Sequence, residues 1–70
     1  MNINDKTKKH TTMKLGDLVF ISPDITSMKE WIKAQIIDIE DNPFSGIIIS
    51  AKAEDGEVFF GRNEYFKPTI

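Results

Sequence analysis

Gly46-Ile-Ile-Ile-Ser-Ala-Lys-Ala-Glu54 and Glu57-Val-Phe-Phe-Gly-Arg62 flank the dipeptide Asp55-Gly56. β-Branched and aromatic runs on either side of Asp-Gly predict a β-hairpin, with a two-residue type I′ turn that needs positive φ at both central positions. With Asp55 and Gly56 as the turn, Glu54 opposes Glu57, Ala53 opposes Val58, Lys52 opposes Phe59, Ala51 opposes Phe60 and Ser50 opposes Gly61. One face then carries Ile47, Ile49, Ala51, Ala53, Val58 and Phe60 and is expected to be the core. The small Ala51 leaves room for the Phe60 ring. The other face carries Ile48, Ser50, Lys52, Glu54, Glu57 and Phe59, which leaves Phe59 as a large aromatic among polar neighbours. The like-charged pair Glu54/Glu57 suits a solvated tip.

Upstream, Asp17-Leu-Val-Phe-Ile-Ser22 reads as a first strand, opened by Gly16 and stopped by Pro23. Val19 and Ile21 suit its core face, so Phe20 leans outward. Residues Pro23 to Glu30 read as a loop with a short turn. Trp31-Ile-Lys-Ala-Gln-Ile-Ile-Asp-Ile-Glu40 is the longest strand, and its apolar parity switches between Ile36 and Ile37. A bulge there restores a single inward face and curls the sheet. Asp41-Asn-Pro-Phe-Ser-Gly46 is a turn by composition. Asn63 to Pro68 reads as a turn and a short closing strand around Tyr65 and Phe66.

Seventy residues without a cysteine make one small domain with no disulfide and no thiolate metal site. No apolar run approaches the roughly 20 residues of a membrane span, and the polar N-terminus lacks the apolar stretch of a signal peptide. A cytoplasmic protein is the expectation. The formal charge of −2 conceals an asymmetry. Lys6, Lys8, Lys9 and Lys14 against Asp5 make residues 1–14 basic. Five bases against ten acids make residues 15–70 acidic, which disfavours phosphate on that part. Residues 1–13 read as a disordered basic arm and residues 14–70 as the folded unit. Met13-Lys-Leu-Gly16 would itself make a normal start, so whether residues 1–12 are an upstream extension is left open.

Gly16-Asp17-Leu18-Val19-Phe20, Trp31-x-x-Ala34-x-Ile36 and Val58-Phe59-Phe60-Gly61 together resemble the SH3-like barrels of the Tudor, PWWP and KOW kind. The fold class expected is therefore all-β, a five-stranded SH3-like barrel behind the basic arm. The resemblance covers about fifty residues. It implies a methyl-lysine-binding aromatic cage on Phe20, Trp31 and one of Phe59 or Phe60. Ile32 stands where PWWP domains carry a proline, and the helical part and basic DNA-facing surface of that family are missing.

The one histidine, His10, lies in the arm, so nucleophile–base pairs and zinc sites are not expected. Asp38, Glu40 and Asp41 read as a solvated acidic turn. Arg62 is expected at the barrel mouth, paired with Asp17 or Glu64, and Lys52 beside Phe59. No enzyme activity, cofactor or metal is expected. The expected function is an interaction module that binds a protein or basic peptide through an aromatic and acidic face of Phe20, Trp31, Phe59 and Glu57. Rings that merely cover the ends of a small barrel account for the same pattern. Two alternatives stand beside it: nucleic-acid binding with Lys6, Lys8, Lys9 and Lys14 on phosphates, and a homo-oligomer paired through an edge strand.

Overall fold

A computed structural model describes residues 13–69. The elements in chain order are β1 (Leu18–Ile21), the one-turn helix α1 (Pro23–Thr26), β2 (Ile32–Asn42), β3 (Gly46–Ala53), β4 (Val58–Arg62), a 3₁₀ turn (Asn63–Tyr65) and β5 (Phe66–Pro68). All strand pairings are antiparallel, in the order β4-β3-β2-β1-β5. The all-β, five-stranded expectation holds.

The sheet must curl. In a flat sheet β4 and β5 would lie about 19 Å apart, four strand spacings. Only Asn63–Tyr65 joins them, and a link that short reaches at most about 14 Å. The bend begins at Ile37. Ile36 pairs with Ala51 but Asp38 pairs with Ser50, so Ile37 is an extra, exposed residue. The bulge resets parity as the sequence requires: Ala34 and Ile36 before it and Ile39 after it all contribute to one inner face.

The barrel expected from the sequence is nevertheless an open one, because β4 and β5 form no ladder. Two short elements pack on the inner side of this opening. Ile25 of α1 and Tyr65 of the 3₁₀ turn pack on the core. Gly61 lets α1 approach β4, since a methyl there would stand 2.5 Å from Ile25 Cδ1. Ser22 ties these pieces together. Its N–H donates to Tyr65 O at 2.8 Å, and its Oγ accepts from the Asp24 N–H at 3.0 Å, capping α1.

The buried core is Val19 and Ile21 of β1, Ala34 and Ile36 of β2, Ile49 and Ala51 of β3, Phe66 of β5, and Met13. Met13, read from the sequence as part of the arm, therefore belongs to the folded unit; residues 1–12, with Lys6, Lys8, Lys9 and His10, lie outside the described residues.

The β3–β4 register differs from the expected one by a single residue. Lys52 pairs with Val58, Ala51 with Phe59, Ser50 with Phe60 and Ile49 with Gly61. The loop holds three residues, not two. Gly56 N–H donates to Ala53 O at 2.9 Å, and Ala53 N–H donates to Glu57 O at 2.8 Å. Gly56 has φ +93°, whereas Asp55 is not in the positive-φ region. This is a type I turn closed by a glycine bulge. Asp55 favours it, because its Oδ1 accepts the Glu57 N–H at 2.9 Å.

Candidate functional site

A one-residue slip exchanges the faces of a strand. Phe59, expected outside, is half-buried and packs on the core. Phe60, expected in the core, is 66% exposed on the outer face, and Val58 beside it is 50% exposed. Arg62 also points outward and reaches Glu64 at 3.6 Å. Lys52 faces Val58 across the ladder in place of Phe59.

Phe20 and Trp31 do share the outer face. Phe20 pairs with Lys33 of β2 on one side and Lys67 of β5 on the other. Trp31 lies two residues before Lys33, diagonal to Phe20. Lys67 Nζ sits 4.3 Å from the centroid of the Trp31 ring. That is a cation–π contact, worth about 0.5–1 kcal/mol at an exposed site. The protein's own ammonium thus occupies the position that a ligand ammonium would take in an aromatic cage. The third wall is also lacking: Phe59 is on the inner face, and Phe60 lies three strands from β1, in the row of Ser50 and Asp38 and not that of Lys33. Glu57 sits at the β3–β4 turn on the parity of Phe59, not beside Phe20.

The bulge divides the outer face of β2 by charge. Below it stand Lys33, Lys67 and Lys52, the last opposite Gln35. Leu18, Lys33, Gln35, Lys52 and Glu54 line an open depression of about 400 Å³ there. Above it, β2 carries Asp38 and Glu40, opposite Ser50 and Ile48. So the aromatic face of Phe20 and Trp31 is basic, not acidic.

The acidic half ends in a feature that composition alone did not single out. Asn42 pairs with Gly46, leaving Pro43, Phe44 and Ser45 as the β2–β3 loop. Asn42 Oδ1 accepts from the Phe44 N–H at 2.8 Å and the Ser45 N–H at 3.0 Å, and Gly46 closes the turn at φ +87°. Phe44 is thereby held at the apex, 96% exposed, with Glu40 and Asp41 just behind it. The signal for it is a large apolar residue inside Asn-Pro-Phe-Ser-Gly, where every other position serves the turn.

Among the described residues no group of His, Cys, Asp and Glu side chains is placed to hold a metal ion. Among the described residues no helix is long and apolar enough to cross a membrane. Comparison with protein-family models, curated proteins and solved structures finds no match to this chain.

Proposed function

We propose that the chain is a non-catalytic interaction module that engages a protein partner through the β2–β3 hairpin tip. The observation that carries this reading is Phe44: a fully exposed ring on a hydrogen-bonded turn does nothing for the core. Glu40 and Asp41 behind it favour a partner whose apolar pocket is rimmed by Lys or Arg. The aromatic and acidic surface expected from the sequence is thus assigned to Phe44, Glu40 and Asp41, in place of Phe20, Trp31, Phe59 and Glu57. In the same reading the open, curled sheet belongs with the SH3-like barrels that the sequence resembles, supported by five antiparallel strands of which the second is long and bulged.

The test compares tagged wild type with Phe44→Ala and with Glu40→Lys/Asp41→Lys in quantitative recovery of bound proteins from the native cell. Losing an anchor of hot-spot quality costs about 2 kcal/mol, roughly thirtyfold in affinity. Both variants should lose the same partner. Full retention of every partner by Phe44→Ala refutes the reading.

A second reading is favoured by the lysine face. Lys33, Lys52 and Lys67 around Phe20 and Trp31 match a surface that tracks phosphates while rings stack on bases. Salt-sensitive binding of a labelled oligothymidylate, lost on Lys33→Glu/Lys67→Glu, supports it. Absence of binding at low salt rules it out.

A further inference from the structure

The two edges of the sheet are not alike. β5 is three residues long and ends in Pro68, which has no N–H to offer a neighbour. β4 is Val58-Phe59-Phe60-Gly61-Arg62, with no proline and no lysine. Its hydrogen-bonding phase follows from the turn. Ala53 and Glu57 are a hydrogen-bonded pair. By alternation the next such pairs are Ala51/Phe59 and Ile49/Gly61. The N–H and C=O groups of Val58, Phe60 and Arg62 therefore point away from β3, along the free edge. Among the described residues no backbone hydrogen bond reaches them from that side. The side chains of Val58 and Phe60 are half or more exposed beside this open row.

We propose that β4 pairs antiparallel with β4 of a second copy, about a two-fold axis at Phe60. Phe60 then opposes the partner's Phe60, and Val58 opposes the partner's Arg62. Antiparallel pairing exchanges two bonds at each such position, about six backbone hydrogen bonds across the axis. The axis satisfies the open row of both copies at once, as an isologous contact must.

Side-chain chemistry fits this seating. On the outer face Arg62 lies against the partner's Val58 and Phe60 against the partner's Phe60, so no like charges are directly opposed. Parallel pairing in register would set Arg62 beside Arg62. The proposal is independent of the Phe44 reading, since Phe44 lies on a different hairpin, outside the β4 edge.

The test is amide hydrogen exchange by NMR across a dilution series, together with sedimentation equilibrium. The expected result is a dimer in which protection of the Val58, Phe60 and Arg62 amides rises with concentration, while Phe59 and Gly61 are protected throughout. Phe60→Lys places like charges face to face and removes the ring pair. It should weaken the dimer about tenfold or more, with the monomer's melting temperature at low concentration unchanged. A wild type that stays monomeric, with those three amides exchanging freely at every concentration, overturns the proposal. So does a dimer that survives Phe60→Lys but dissolves with Leu18→Lys on the lower outer face.

Discussion

Exchanging the neighbours Phe59 and Phe60 for serine, one at a time, tests the register on which the account of the surface depends. Phe59 lies opposite buried Ala51 and packs on the core, whereas Phe60 lies opposite Ser50 on the outside. Complete removal of a buried Phe side chain costs about 3–5 kcal/mol. Phe59 is only half-buried, so about 2–3 kcal/mol is expected for Phe59→Ser. Phe60→Ser removes an exposed ring and should stay within about 0.5 kcal/mol. A domain of this size loses about 4–8 °C in Tm per kcal/mol, so Phe59→Ser should melt about 10–20 °C lower and Phe60→Ser nearly with the wild type. Urea unfolding followed by Trp31 fluorescence and by circular dichroism gives both free energies. Dilute protein keeps any gain from self-association out of the comparison. A two-residue turn at Asp55-Gly56 demands the reverse order. Greater destabilisation by Phe60→Ser than by Phe59→Ser refutes the register, and with it the exposed β4 edge.

Three further outcomes follow from single contacts. Gly56→Ala forces a Cβ onto φ +93° and should cost about 1–2 kcal/mol in urea unfolding. Ser22→Ala should cost about 1 kcal/mol by the same assay, because the buried Oγ caps α1. Lys67→Ala uncovers Trp31, already 39% exposed, and should raise its acrylamide quenching without changing the far-ultraviolet circular dichroism; unchanged quenching would show that the ammonium does not reside over the ring.

Much of the fold is legible in the residues. Ala34 and Ile36 alternate with Lys33 and Gln35, and Ala51 stands between Ser50 and Lys52, so period-two patterning assigns their faces; in β1 the β-branched Val19 and Ile21 mark the core face. The parity break at Ile36-Ile37 announces the bulge, because only an extra residue returns Ile39 to the inner face. β4 is different. Val58, Phe59 and Phe60 are all apolar, so either register buries a large side chain and the pattern cannot choose. The choice rests on the turn, where the Asp55 carboxylate and one positive-φ glycine favour three loop residues over two. For that reason Phe59 and Glu57 do not join Phe20 and Trp31 on one face. The surroundings of Trp31 differ for another: Lys67 is distant in sequence, and only the pairing of β5 with β1 brings its ammonium over the ring. The pattern does not single out Phe44, because the turn explains its neighbours and conceals the one residue that the turn does not need.

Photocrosslinking in the native cell from a benzophenone amino acid placed at position 44, with position 20 as the comparison, shows whether Phe44 meets the partner. Position 44 should give a discrete protein adduct that disappears when Glu40 and Asp41 are both changed to Lys, and position 20 should not give that adduct. An adduct from position 20 with none from position 44 would contradict the account and return the binding surface to the lysine face around Trp31.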